Sequence, residues 1–383
     1  MRKNGLILFL ALSYLNAGAQ DLAFGRKMVD TLTSPYFWGR GYTNDGMGKA
    51  ANFLAAQFKS YGLEPMEGRS FLQHFSYPIN TFPGKMEVNI NGKDLIPGKD
   101  FIVAPESRSI KAAGKLVKKD SVTFINRDEM FIVHLDDKLT MDLAGEVAEY
   151  SMVNVDKKSI TGNPLNFIVN IDNKFLKNFK ADNICAIVKG TVKPDSVIMI
   201  TAHYDHLGGL GKDTYFPGAN DNASGVSLLL NLAHYYAKHP QAYSIGFILF
   251  AGEEAGLIGS KYFTENPLIP LKKIRFLVNT DLTGTGEEGI TVVNATEFPK
   301  EFAMMNAVND EGKFLVKINP RSKAANSDHY FFTEKGVPSF FFYTLGGIKA
   351  YHDVFDKAET LPLNEHEDLF KLLIKFNQKL MEN

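Results

Sequence analysis

Five polar clusters in this chain hold residue types that can bind a metal ion or move a proton. Four follow apolar runs. His203-Tyr204-Asp205-His206 comes after 197–201, Gly252-Glu253-Glu254 after 245–250, and Asn279-Thr280-Asp281 closes the run that starts at 276. Tyr351-His352-Asp353 lies beyond 339–343 and a Gly346-Gly347 turn. The fifth, Gly218-Ala219-Asn220-Asp221-Asn222-Ala223-Ser224-Gly225, separates the first run from a helical pattern. His203, Asp221, Glu254, Asp281 and His352 form a nitrogen and oxygen donor set suited to zinc, which such ligands hold at roughly 2.0–2.2 Å. Cobalt and manganese accept the same donors. Five ligands exceed the needs of one tetrahedral ion. They suit two ions, about 3.5–4 Å apart, that share one carboxylate. Asp205 stands two residues after His203, so on a strand it faces the same side. There it is expected to accept the second imidazole N–H and fix the tautomer.

The elements around these clusters must bring them together. The runs 197–201, 245–250, 276–279 and 339–343 are apolar throughout, as in strands buried on both faces. Residues 223–236 place Val226, Leu229, Leu230, Ala233 and Tyr236 on one helical side. Residues 45–62 do the same with Met47, Ala50, Ala51, Leu54 and Phe58; Asp45 is expected to cap that helix and Gly62 to stop it. A last helix is predicted over 364–380, with Asn364 and Glu367 in capping-box spacing. This alternation predicts an α/β domain around a central, largely parallel sheet. Ligands of such sheets bind outside the carboxyl ends of the strands, so all five clusters converge on one crevice. Over 81–180 the character changes. Residues 86–90 alternate before an Asn91-Gly92 hairpin turn, and 122–125, 130–134 and 167–171 are further short strands. The stretch reads as a β-rich insert, either protease-associated-like or a lid, within a catalytic domain built from 20–80 and 181–383.

The clusters at 203–206 and 218–225, the run Gly252-Glu253-Glu254-Ala255-Gly256-Leu257-Ile258-Gly259-Ser260, Ser327-Asp328-His329 and Tyr351-His352 occur in an order with a resemblance of its own. The set resembles the secreted two-zinc aminopeptidases of peptidase family M28, bacterial leucine aminopeptidase-like, over 45–75 and 183–383. The resemblance implies the phosphorylase/hydrolase-like fold of zinc peptidases, with a mostly parallel mixed sheet flanked by helices. It implies two Zn²⁺ per chain, one on His203 and Asp281, the other on Glu254 and His352, with Asp221 bridging. Glu253 is then the general base, and Asp205 orients His203. Tyr351, next to a ligand, is expected to border the substrate, and Tyr343 to reach the same pocket. The implied reaction is hydrolysis of the N-terminal peptide bond. Relatives often carry Thr-Pro after the last ligand; Asp353-Val354 stands there in this chain, a departure that bears on loop shape and substrate preference.

Three other readings use the same residues. A glutaminyl cyclase-like aminoacyltransferase needs one zinc on Asp, Glu and His; His203 and the run 253–260 argue against it. A carboxypeptidase or dipeptidase variant needs an Arg or Lys to clamp a substrate carboxylate, and Arg321 and Lys349 are nearest by sequence. A non-catalytic binding module of the same fold would lose ligands, and none is lost here.

Composition narrows the rest. The 383 residues are 45% hydrophobic and 22% charged, which is globular and excludes disorder and coiled coil. With 42 Lys and Arg against 43 Asp and Glu, the net charge is -1, so nothing electrostatic draws the chain to nucleic acid or anionic membranes. A single cysteine, Cys185, excludes an intramolecular disulfide and a Cys-based zinc cluster. Arg2 and Lys3, the apolar stretch 6–15 and Ala17-Gly18-Ala19 predict a signal peptide over 1–19. Export to the periplasm or the medium follows, with no membrane anchor after cleavage. Peptides are the expected partners, and the sequence carries no signal for an oligomeric state.

Overall fold

The structure is a computed structural model that describes residues 17–382. The leader expected over 1–19 falls almost wholly outside the described residues.

Nine strands form the main sheet: β1 (Glu64–Pro65), β2 (Leu72–Thr81), β3 (Lys174–Val188), β4 (Lys193–His203), β5 (Tyr243–Phe250), β6 (Ile274–Thr280), β7 (Ile290–Val293), β8 (Ile318–Pro320) and β9 (Ser339–Thr344). Their order is β1-β3-β5-β4-β6-β9-β7-β8, with β2 also paired to β3. The inner four, β5, β4, β6 and β9, run parallel. β3 and β7 flank them antiparallel, so the sheet is mixed with a parallel centre.

All of β5 is buried, and so is β4 from Val197 to His203. Burial on both faces is why their sequence shows no alternation. The two-residue period survives in the packing. Ile198, Ile200 and Ala202 of β4 join Ile245, Phe247 and Leu249 of β5 in one core. Val197 and Met199 join Ile248 and Phe250 in a second core on the other face. The first core is covered by α1 (Ala17–Leu32), α2 (Gly46–Tyr61), α3 (Gly225–Lys238), α5 (Pro299–Gly312) and α7 (His366–Glu382). The second is covered by α4 (Ile258–Glu265) and α6 (His329–Glu334).

α2 buries Met47, Ala50, Ala51, Leu54 and Phe58 and ends at Gly62, whose φ of 85° closes the last turn. Asp45 does not cap it; Asp45 is itself left-handed, at φ 55°, and makes no side-chain bond to the helix. α7 starts at His366, and Asn364 Nδ2 donates instead to Glu287 Oε1 at 2.7 Å. The sequence reading passed over α5, of which only Met305, Val308 and Asn309 are buried. That leaves almost no apolar stripe to detect.

Residues 82–173 leave the sheet at the end of β2 and return at the start of β3, where Thr81 pairs with Lys174. They build a five-stranded sheet and a four-stranded sheet around Val88, Ile90, Phe101, Phe124, Val133 and Phe167. Leu207, Leu210 and Phe216, from the loop after β4, join that core. Among the described residues no helix is long and apolar enough to cross a membrane.

Candidate active site

The parallel strands deliver their carboxyl ends to one place. His203 is the last residue of β4, Glu253 and Glu254 follow β5, Asp281 follows β6, and His352 lies in the loop after β9. Asp221 sits in the tight turn Ala219–Ser224 that opens into α3. At Gly252 the backbone turns at φ 70°, and a Cβ would lie 2.9 Å from the Tyr77 hydroxyl. Glycine there lets β5 turn at once into the glutamate pair.

The five sequence-predicted ligands come together. His203 Nε2 lies 3.3 Å from Asp221 Oδ1 and 3.3 Å from Asp281 Oδ1. His352 Nε2 lies 3.2 Å from Asp221 Oδ2 and 3.0 Å from Glu254 Oε2. The other imidazole nitrogens are committed elsewhere. His203 Nδ1 donates to the Asp205 carbonyl at 3.2 Å, and His352 Nδ1 to the Met141 carbonyl at 2.9 Å. Burial opposes charging of both rings, but the surrounding carboxylates raise both imidazoles well above the ordinary value, so each Nε2 position calls for a cation, which a metal supplies while leaving the ring neutral.

Donor atoms of His203, Asp221 and Glu254 lie within 4.8 Å of one another, as do those of His203, Glu253 and Asp281. Asp281 Oδ1 is buried without a hydrogen-bond partner. The donor set therefore fits zinc: neutral imidazole nitrogen, carboxylate oxygen, and a vacant acceptor within the cluster. Burial and the Asp221 charge oppose ionisation of Glu254, yet His352 and His206 hold it down to about 2. Glu253 goes the other way. Burial pushes its carboxyl well above the ordinary value, and the charges of Asp328, Glu254 and Asp281 add to that against His203.

A model of peptidase family M28 matches residues 183–376, over half of the chain. The chain belongs to peptidase family M28. Aminopeptidase YwaD of Bacillus subtilis (strain 168) is 26% identical over 249 residues, 64% of this chain and 51% of that protein. A probable leucine aminopeptidase of Arthroderma otae is 29% identical over 220 residues, 54% of this chain and 60% of that one. The chain thus spans about half the length of the first of these relatives. Among solved structures, the aminopeptidase from Aneurinibacillus sp. strain AM-1 superposes with a TM-score of 0.67 at 19% identity, covering 93% of each chain. The zinc aminopeptidase BSAP from Bacillus subtilis gives 0.68 at 18%, covering 93% of this chain and 94% of that one. At these identities the superpositions establish the fold.

Within this M28 chain, Asp205 departs from the sequence expectation. Its carboxylate stands 3.9 Å from His203 Nδ1, and the Asp205 carbonyl takes the imidazole N–H instead. The carboxylate accepts from the Glu253 amide at 3.2 Å and from the Tyr42 hydroxyl at 3.2 Å. It holds the glutamate turn rather than the histidine ring. Ser327 supports a predicted ligand: its hydroxyl donates to Asp281 Oδ2 at 3.2 Å and accepts from Asn279 Nδ2 at 2.8 Å. Asp353 folds the last loop, accepting from the Phe355 amide at 2.9 Å and facing Lys138 of the 82–173 stretch at 3.5 Å.

Three residues to which the sequence gave no role in the site pack around the predicted ligands. His206 Nδ1 reaches Glu254 Oε1 at 2.6 Å. The Asp356 carboxylate accepts from the Asn220 and Asp221 amides at 2.8 and 3.0 Å. Arg40, fully buried, donates to the carbonyls of Leu32, Tyr204, Pro217, Gly218 and Asp221 at 2.7–3.2 Å. Burial lowers its guanidinium to about 10, so it stays charged at neutral pH and clamps both loops that carry ligands.

The cluster opens into a cavity of about 230 Å³. Its further lining comes from Leu282, Arg321, Asn326, Phe341, Tyr343 and Tyr351. Both tyrosines named from the sequence are there. The Tyr351 ring stacks on His352, with centroids 4.0 Å apart.

Proposed function

We propose that this protein is an exported zinc aminopeptidase that removes the N-terminal residue of peptides, using two zinc ions and Glu253 as general base. One relationship carries the reading. Asp221 turns Oδ1 towards His203 Nε2 and Oδ2 towards His352 Nε2, at 3.3 and 3.2 Å. One oxygen towards each histidine is what a carboxylate shared by two ions requires. His203 and Asp281 would hold one zinc, and Glu254 and His352 the other. Zinc held there supplies Lewis-acid polarisation of the scissile carbonyl and lowers the pKa of water to near neutrality.

The chain's own groups handle the proton. Glu253 takes a proton from the attacking water as the water oxygen bonds to the carbonyl carbon. It returns that proton to the leaving nitrogen as the C–N bond breaks, releasing an amino acid and a shortened peptide. Its raised carboxyl pKa suits a group that must both accept and give back a proton. The acidic cluster suits the substrate's free α-amine, which confines cleavage to the first bond. Contact between Met141 and His352 supports a gating role for the 82–173 stretch. The charged, apolar and small-residue pattern of 1–19 supports export.

The test is a set of three peptides with chelator-treated and zinc-restored protein. The account expects the zinc-restored protein to release the N-terminal residue from a free peptide and not from its N-acetylated twin. It expects little release from either by the chelated protein. Equal cleavage of the acetylated peptide, or pyroglutamyl formation from a Gln-starting peptide without hydrolysis, would reject it.

A further inference from the structure

Arg321 is the one Lys or Arg among the described residues that line the active-site cavity. It is exposed to the cleft, and among the described residues no carboxylate pairs with it within 4.0 Å. Its position is nevertheless fixed. The Arg321 amide donates to the Val292 carbonyl at 2.9 Å, and its own carbonyl accepts from the Ala295 amide at 3.1 Å. These bonds pin the residue just past the end of β8. Nη1 then donates to the Tyr343 hydroxyl at 3.1 Å. Tyr343 stands on β9, where it pairs with Thr291 of β7, and its ring lies against Phe341 at 5.5 Å between centroids.

This pair has unused hydrogen-bonding capacity of one kind. A guanidinium carries five N–H donors in a planar fork, and a phenol that accepts one bond keeps its own proton to donate. Nothing in the pair calls for a cation or an apolar group. A carboxylate fits, taking two parallel N–H bonds from the fork or one N–H with the tyrosine O–H. The other charge-bearing side chains that line the cavity belong to the ligand and base set: His203, Asp221, Glu253, Glu254, Asp281 and His352. Outside that set, a substrate carboxylate entering the cleft meets its favourable charged partner at Arg321.

We propose that Arg321 and Tyr343 form a carboxylate-reading subsite, so that the substrates hydrolysed best carry a carboxylate close to the scissile bond. Two sources supply that group: an acidic N-terminal side chain, or the C-terminal carboxylate of a dipeptide. The proposal rests on the aminopeptidase reading and narrows it.

The experiment uses the full zinc-loaded chain and pairs of substrates that differ only in the carboxylate. Glu-p-nitroanilide is compared with Gln-p-nitroanilide, and the dipeptide Leu-Ala with its C-terminal amide. A preference of roughly tenfold in kcat/KM for the acidic member is expected in at least one pair, the size of one charge-assisted hydrogen bond in a part-exposed site. The first pair assigns the side chain, the second the chain terminus. In Arg321→Met the ratio should fall towards one, mostly through KM, and Tyr343→Phe should lower it part of the way. Where the first pair shows the preference, calorimetric binding of L-glutamate against L-glutamine to the same proteins gives a readout apart from turnover, and should show the same preference and the same loss. Ratios near one in both pairs of the wild type, or ratios unchanged in Arg321→Met, would overturn the subsite while leaving an aminopeptidase that cleaves Leu-Ala amide. Release from no member of the panel would overturn the aminopeptidase reading and this one together.

Discussion

His206 holds Glu254 by one oxygen: its Nδ1 lies 2.6 Å from Oε1, while Oε2 faces His352 at 3.0 Å. That leaves Glu254 one fixed oxygen, Oε2, to offer to a metal under the proposed assignment. The His206 ring fills the space beside Gly218, where a Cβ would come within 2.4 Å of Cδ2 and 2.2 Å of the Asp221 carbonyl. His206→Ala should weaken zinc binding by roughly 10- to 100-fold, the usual cost of losing a group that orients a ligand. Gly218→Ala, on a backbone at φ 60°, should weaken it in the same direction. Competition of the zinc-loaded proteins with a chromophoric chelator measures both; wild-type affinity in His206→Ala would refute the assignment.

Under the proposed mechanism Glu253 moves protons and holds no metal, which makes it separable from the ligands by experiment. Glu253→Gln should keep its zinc content and lose roughly 10²- to 10⁴-fold in kcat, with KM little changed. Metal analysis beside steady-state kinetics decides it. Zinc lost together with activity would make Glu253 a ligand.

Arg40 ties the chain before α2 to the two loops after β4 that flank His203 and Asp221 through four carbonyl oxygens, and to the end of α1 through a fifth, that of Leu32. Removing its donors leaves those buried acceptors unsatisfied, each costing about 1–3 kcal/mol. Arg40→Met should therefore destabilise the protein by at least about 3 kcal/mol, read from urea unfolding of the metal-free protein. Loss below 1 kcal/mol would show that the loops hold their own shape.

His366, buried at the start of α7, accepts from Asn231 Nδ2 at 2.7 Å through Nε2. Burial, with the Arg26 charge adding, lowers its pKa from 6.5 to about 4. The folded state thus prefers the neutral ring. Its contribution is complete above pH 6.5 and is lost as the pH falls from there towards 4. The lost amount is of the order of 3 kcal/mol. Unfolding of metal-free wild type between pH 7 and 4 should show a steeper acid decline than His366→Asn; parallel declines would contradict it.

What the sequence made legible follows from where its signals are local. Three of the predicted ligands follow apolar runs directly, so the strand–ligand pairing at His203, Glu254 and Asp281 could be seen within ten residues. The parallel centre followed from runs without alternation. The carbonyl contact of Asp205 was not legible because β4 ends at His203, so the two-residue period does not carry on to it. Tyr42 and Arg40 gave no signal, and His206, although it closes the 203–206 cluster, gave no sign of its partner, since their site partners lie 163, 164 and 48 residues away in the chain. Only the folded sheet brings those segments into contact.

The central claim is that five residues hold two zinc ions with Asp221 between them. Zinc stoichiometry, after zinc incubation and desalting, tests it most directly. The account predicts two ions per chain in the wild type and fewer than one in Asp221→Asn, which would weaken both half-sites at once. One ion per chain in the wild type, or two retained in Asp221→Asn, would contradict it.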